Sequence, residues 1–226
     1  IAGGTWTSSN TAVATIGSST GIVNGITAGT SLTTYGLSSG CLRTTIVTVN
    51  ANPGAITGSL NVCIGLTSAL GNSVAGGVWS SVNTAVGTIG AVSGIVTGIA
   101  AGTTTISYIL PTGCYATAVV TVNALPSPIL GTNVVCSGLS TSLSSASGGG
   151  TWLSGATSIA TVDSSTGIVT GVTSGSPAIS YVLPTGCMRT TIVSVNARPT
   201  PYSVTGTGSY CAGGAGLPDA GTASGA

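Results

Sequence analysis

The sequence contains no Lys, Glu, His, Gln or Phe, and its charged residues are limited to three Arg and two Asp. These absences exclude most catalytic chemistry. A general base could only be Asp163 or Asp219, and neither has a second carboxylate with which to divide acid and base roles. The many serines have no base that could activate one of them as a nucleophile. We therefore predict that the protein is not an enzyme and uses no cofactor.

The shortage of charge also limits the partners. A formal net charge of +1 provides no electrostatic attraction for nucleic acid or an anionic membrane. Calcium sites need several carboxylates and zinc sites need closely spaced Cys or His ligands, and neither pattern occurs. Mean hydropathy is +0.62, yet Gly, Ser and Thr interrupt each apolar run before the roughly 18 residues of a membrane span. We expect no metal, nucleic acid or membrane span.

What the sequence does contain is a long internal repeat. One tryptophan, one tyrosine and one cysteine of each copy recur at the same constant spacing. They are Trp6, Trp79 and Trp152; Tyr35, Tyr108 and Tyr181; and Cys41, Cys114 and Cys187. A fixed period of this kind indicates one structural unit copied in series.

The first copy is incomplete at its start. Cys63 precedes Trp79 by the same interval as Cys136 precedes Trp152, whereas no cysteine precedes Trp6. The segment around Cys211 resembles the missing opening. We predict a truncated repeat lacking its first strand or strands, two complete repeats, and the opening of a further repeat. Their ranges are 1–50, 54–123, 127–196 and 203–226.

Within each repeat the segments are short, rich in Val, Ile and Thr, and separated by Gly. Residues 43–50 alternate, with Val47 and Val49 on one face of a predicted strand. Evenly spaced short strands with turn signals are typical of a β-sandwich. Trp6, Trp79 and Trp152 stand one per repeat at a fixed place, so we interpret them as core aromatics rather than a sugar-stacking platform.

Residues 6–16 read WTSSNTAVATI and residues 19–30 read STGIVNGITAGT. This pattern resembles the bacterial immunoglobulin-like domain, group 2, and its copies run from Trp79 to Thr103 and from Trp152 to Ser176. The resemblance implies an all-β fold of tandem immunoglobulin-like β-sandwich repeats, about 73 residues each, used as spacers or adhesive modules on bacterial surface proteins. Residues 153–155 and Pro177 depart from the pattern in the third repeat.

The six cysteines predict disulfides. Cys63 and Cys114 are as far apart in the sequence as Cys136 and Cys187, so each complete repeat holds one pair. Closing a loop of roughly 50 residues stabilises by about 4 kcal/mol in the chain-entropy model. Repeated cysteine pairs predict an extracellular or cell-surface location.

Cys41 and Cys211 are then left over, one in each half of the broken repeat. We expect them to form an inter-subunit disulfide. The alternative is that the sequence is a window on one longer chain, in which the same bond would be intramolecular.

An almost uncharged surface needs another source of hydration. No Asn-x-Ser/Thr sequon occurs, so any glycan would be O-linked. We consider Thr44, Thr48, Thr117 and Thr121 as candidate positions. The alternatives are that threonine only reflects β-propensity or that its rows bind ice.

Two functions fit these features. In the first, the protein is a subunit or segment of a surface filament, and residues 203–226 of one copy complete residues 1–50 of the next by strand complementation. The partner is then a second copy of the same chain, in a head-to-tail homopolymer. In the second, the chain is a spacer or stalk array of a giant adhesin whose ligand-binding end is not included.

Overall fold

The computed structural model describes residues 3–199, and all regular elements in this range are β-strands. The strands pack face to face as sandwiches, so the predicted all-β, immunoglobulin-like fold class is confirmed. No helix in the described range could span a membrane.

The first repeat has five strands in the described range. They are β1 (Gly4–Ser8), β2 (Ala14–Ile16), β3 (Val23–Gly25), β4 (Gly29–Leu37) and β5 (Leu42–Val49). Strands β1, β4 and β5 form one antiparallel sheet in the order β1-β4-β5, and β2 pairs with β3. Alternation of Thr with apolar residues in β5 produces the extended, two-faced strand that the sequence predicts.

The second repeat has eight strands. They are β6 (Thr57–Gly58), β7 (Asn61–Cys63), β8 (Thr67–Gly71), β9 (Val78–Ser81), β10 (Gly87–Ile89), β11 (Ile95–Gly98), β12 (Gly102–Ile109) and β13 (Tyr115–Asn123). They form two four-stranded sheets, β10-β11-β8-β6 and β7-β13-β12-β9. All pairs are antiparallel except that β7 runs parallel to the end of β13. This order is that of an immunoglobulin sandwich whose first strand crosses from one sheet to the other.

The third repeat follows the same order with nine strands. They are β14 (Ile129–Gly131), β15 (Val134–Cys136), β16 (Ser140–Ser145), β17 (Thr151–Ser154), β18 (Ala160–Val162), β19 (Ile168–Gly171), β20 (Ala178–Val182), β21 (Met188–Ile192) and β22 (Ser194–Asn196). The sheets are β14-β16-β19-β18, β17-β20-β21 and the parallel pair β15-β22. Strands β21 and β22 together occupy the place of β13.

Pro177 accounts for the break in the third repeat. Strand β20 has five residues, whereas its counterpart β12 has eight. Proline has no N–H to donate to a neighbouring strand, although its carbonyl still accepts the Val193 N–H at 3.0 Å. The departure from the repeat pattern at Pro177 therefore corresponds to a shortened strand, and the sandwich is kept.

Each repeat is built around one tryptophan and one tyrosine on neighbouring strands. The ring centroids of Trp79 and Tyr108 are 4.6 Å apart, and those of the other two pairs are 4.8 Å apart. Gly94, with a φ of 66°, lies against the Trp79 ring, where an added Cβ would be 3.1 Å from its atoms. The tyrosine hydroxyl accepts a backbone N–H from the segment before the tryptophan, so each ring pair also positions that loop.

Tyr108→Phe should destabilise the second repeat by about 1–2 kcal/mol, because it leaves two half-buried backbone groups without a partner. The hydroxyl accepts the Gly77 N–H at 2.8 Å and donates to the Val74 carbonyl at 2.7 Å. Equilibrium denaturation of the full chain measures the loss. Tyr115→Phe is the control, since Tyr115 is 66 % exposed. An equal effect of both substitutions would contradict the assigned role of Tyr108.

Candidate functional site

The described residues show no cluster suited to metal binding or acid–base chemistry. Among residues 3–199, no three His, Cys, Asp or Glu side chains lie together as a metal site would require. Asp163 caps its own turn by accepting N–H groups from Thr166 at 2.8 Å and Ser165 at 3.0 Å. The hydrogen bonds from Thr166, and then those from Ser165, hold the pKa of the Asp163 carboxyl well below its usual range. Asp219 lies outside the described residues.

The most distinctive surface is the side of the first repeat that carries Trp6 and Val23, which we call the open face. Val23 in β3 is 40 % exposed, whereas its counterparts Val96 and Val169 are fully buried. Trp6 is half-buried, but Trp79 and Trp152 are only 6 % and 4 % exposed. Part of the apolar surface that is covered in the other two repeats is therefore accessible to solvent in the first, although Val13 and Ala14 are buried there.

Two strand edges border this open face. In the second repeat β8 pairs with β11 and β7 pairs with β13, and the third repeat has the equivalent pairs. Within residues 3–199 no strand takes these places beside β3 and β5. Among the described residues, these edges of β3 and β5 therefore have no neighbouring strand, and such an edge is a template for an added strand.

A second feature lies between the second and third repeats. Cys63 is bonded to Cys187 with a Cα–Cα distance of 5.7 Å and a sequence separation of 124 residues. The predicted pairing of each repeat's own cysteines, Cys63 with Cys114 and Cys136 with Cys187, is therefore corrected. The bond joins repeats and does not close one.

Cys63 does not pair with Cys114 because of the direction in which β7 runs. Cys63 lies opposite Asn123, at the end of β13, whereas Cys114 directly precedes the first residue of that strand. The nine residues of this extended strand separate the two cysteines by roughly 30 Å, and a disulfide requires Cα atoms within about 7 Å. Cys136 and Cys187 lie at opposite ends of the third repeat for the same reason, because β15 pairs with β22.

The hairpin that carries Cys187 contacts the second repeat, and we call this contact between the second and third repeats the joint. Cys187 is 1 % exposed, and the neighbouring Thr185 and Gly186 line a cleft of about 250 Å³ together with Cys63 and Asn123. Arg189, two residues further on, donates its Nε–H to the Pro126 carbonyl in the linker at 2.6 Å. A covalent bond and a charge-assisted hydrogen bond therefore hold this hairpin against the linker and the preceding repeat.

Three described cysteines have free thiols. Cys41 is exposed, and Cys114 and Cys136 are half-buried. Cys211, the predicted partner of Cys41, lies outside the described residues. The residues that the sequence reasoning missed are Arg189 and Pro126, although a signal was present: Arg43 and Arg189 occupy equivalent positions, where the second repeat has Ala116.

The candidate glycan positions differ in exposure. Thr44, Thr48 and Thr117 are exposed, and Thr121 is half-buried. O-glycosylation at these positions stays a prediction.

No protein-family model and no curated protein matches the chain. The resemblance to the bacterial immunoglobulin-like domain, group 2, therefore stays an expectation beyond the immunoglobulin-like fold itself.

Solved structures offer distant similarities. A C-terminal 282-residue fragment of intimin, in complex with the intimin-binding domain of its translocated receptor, aligns with a TM-score of 0.42 and 16 % identity over 64 % of each chain. Domains 3–5 of Drosophila OTK align with a TM-score of 0.28 and 10 % identity, covering 87 % of this chain and 85 % of theirs. Mouse cadherin-23 EC22–24 aligns with a TM-score of 0.26 and 13 % identity over 86 % of each chain.

Proposed function

We propose that the chain is an extracellular structural protein whose copies join head to tail into a surface filament. Residues 203–226 of one copy complete the first repeat of the next by adding the strands that lie beside β3 and β5 in a closed sandwich. The observation that supports this most directly is the exposure of Val23, whose counterparts Val96 and Val169 are fully buried.

Energetics favour the joined state. Fully burying a valine side chain stabilises by roughly 1.5–3 kcal/mol relative to leaving it exposed, and Val23, Val47, Val49 and Trp6 all have incompletely buried apolar surface in the first repeat. An added strand would also supply the hydrogen bonds that the edges of β3 and β5 lack. The same contacts would set the head-to-tail direction, because among the described parts of the three repeats it is the first whose sheet edges lack these neighbouring strands.

The extracellular location rests on chemistry. The Cys63–Cys187 disulfide is typical of proteins that fold in an oxidising compartment. A surface with almost no charge would gain solubility from O-linked glycans on exposed threonines such as Thr44 and Thr48. Close packing of copies along a filament would cover part of the same surface.

A spacer or stalk array of a giant adhesin is the second candidate. In that case the open face of the first repeat would be filled by a preceding segment of the same polypeptide. The repeated strand order of the second and third repeats favours a mechanical role in either case.

Deleting residues 203–226 should abolish self-association. In the presence of reductant, so that disulfides play no part, light scattering should show the full chain as multimers of its 21.3 kDa unit and the shortened chain as monomers. A synthetic 203–226 peptide should bind the shortened chain and slow amide hydrogen exchange in β3 and β5. A scrambled peptide of the same composition is the matched control.

The opposite results would favour the stalk. A full chain that stays monomeric in reductant, and a peptide that leaves exchange in β3 unchanged, would exclude strand complementation between copies.

A further inference from the structure

We propose that the base of the third repeat is a docking surface for the cysteine-tipped hairpin of the next copy, and that Cys136 there bonds to Cys41 of that copy. This inference rests on the proposed head-to-tail assembly and specifies its covalent bond. The Cys63–Cys187 joint shows how one such surface and hairpin fit together.

The receiving surface has the same strand register and backbone hydrogen bonds in the second and third repeats. Cys63 lies opposite Asn123 in parallel register, and Cys136 lies opposite Asn196. In each case the residue after the cysteine donates its N–H to the asparagine carbonyl, at 3.1 Å in the second repeat and 2.9 Å in the third. Cys136 is therefore positioned as Cys63 is, but its thiol is free.

The docking hairpin is also the same in each repeat. The residue four positions before each hairpin cysteine donates its N–H to the cysteine carbonyl, at 3.0 Å for Cys41, 2.9 Å for Cys114 and 2.9 Å for Cys187. The preceding glycine has a positive φ each time, 84° at Gly40 and 83° at Gly186, which side chains other than glycine rarely adopt. The hairpin of the first repeat thus presents Cys41 as the third repeat presents Cys187.

An arginine near each hairpin cysteine independently supports the proposed docking. Arg189 donates to the carbonyl of Pro126, and Pro126 is buried. Arg43 stands at the equivalent position of the first repeat and is exposed, and Pro199, which is equivalent to Pro126, is exposed as well. Arg43 and Pro199 could therefore form the contact that Arg189 forms with Pro126. Among the described residues, neither of them takes part in such a contact.

This arrangement accounts for all six cysteines, each bonded to a neighbouring repeat. The bonds are Cys63–Cys187 within a chain, and Cys136–Cys41 and Cys211–Cys114 between copies. Cys211 lies outside the described residues, so its bond follows from sequence spacing alone. The scheme replaces the pairing of Cys41 with Cys211, which assumed that disulfides close single repeats.

Bond formation needs an oxidant. One S–S bond forms between the two thiols, which together lose two protons and two electrons. A low-molecular-weight disulfide accepts them through a mixed disulfide, and its own S–S bond breaks to release two thiols.

The test uses the full chain treated with oxidised glutathione, digested without reduction and mapped by mass spectrometry. We expect one peptide pair that joins Cys41 to Cys136 and another that joins Cys63 to Cys187. In a Cys114→Ser background, a non-reducing gel should show a ladder with steps of 21.3 kDa. Adding Cys136→Ser should collapse the ladder to one band, whereas adding Cys63→Ser instead should leave it.

Arg43→Ala in the same Cys114→Ser background should slow ladder formation by about tenfold, because a charge-assisted hydrogen bond that holds the hairpin is lost. This variant keeps both reacting thiols, so it tests docking separately from bond chemistry. An unchanged rate would show that Arg43 does not contact the preceding copy.

Several results would overturn the inference. Cys41 linked to Cys211, or Cys41 and Cys136 both open to alkylation in assembled material, would refute the pairing while leaving strand complementation intact. Cys136 bonded to a cysteine outside this sequence would assign the surface to a following repeat of a longer chain. Absence of multimers with and without reductant would refute both this bond and the proposed filament.

Discussion

Trp152→Ala is expected to destabilise the third repeat by about 3–5 kcal/mol, a large fraction of the stability of a small domain. Trp152 is 4 % exposed, and its ring centroid lies 4.8 Å from that of Tyr181. Removing it leaves a cavity that the β-sandwich around it can only partly close. Hydrogen exchange followed by mass spectrometry would assign the loss to the third repeat.

Trp6→Ala is the matched control. Trp6 pairs with Tyr35 at the same 4.8 Å but is only half-buried, because strands that cover its counterparts are absent from the described first repeat. We expect a smaller loss than Trp152→Ala causes, because less apolar area of Trp6 is buried. Binding of the 203–226 peptide should raise the cost of Trp6→Ala towards that of Trp152→Ala. Equal losses without the peptide would show that the first repeat is closed on its own.

Cys187→Ser is expected to remove about 4–5 kcal/mol in the chain-entropy model, because the bond it breaks closes a 124-residue loop. The same change should loosen the joint, since the bond and the Arg189 hydrogen bond hold the hairpin there. Denaturation without reductant measures the stability, and small-angle scattering measures the spread of interrepeat angles.

The Cys114→Ser variant distinguishes the Cys63–Cys187 bond from a Cys63–Cys114 bond within the second repeat. Cys114 has a free thiol in the single chain, so its replacement should change the stability of the unassembled monomer by less than about 1 kcal/mol. If Cys63 were bonded to Cys114, then Cys114→Ser would cost as much as Cys63→Ser. That outcome would overturn the bond between repeats.

Much of the fold was predictable because its signals are local. Alternation in residues 43–50 specifies an extended strand, and glycines such as Gly186 specify the turns, whatever the rest of the chain does. The effect of Pro177 was also local, since the missing N–H acts where the residue stands. The strand alternation and the turn glycines also recur from repeat to repeat, whereas Pro177 stands only in the third.

Cysteine pairing was not predictable in this way. A disulfide can close a short loop within one repeat, and it can equally close the loop of 124 residues between Cys63 and Cys187. The reason is that the entropy cost of closing a loop changes only slowly with loop length. The choice depends on β7 running parallel to β13, which carries Cys63 to the far end of its repeat from Cys114. No local pattern encodes that distance.

By itself, then, the sequence determined the all-β fold class, the strands and the burial of Trp79 and Trp152, because these depend on residue type and on the pattern of apolar and turn residues. Only the tertiary structure decided that Cys63 meets Cys187 and that Val23 is uncovered in the first repeat. Both depend on which strand lies beside which, and that is settled by the packing of segments far apart in the chain.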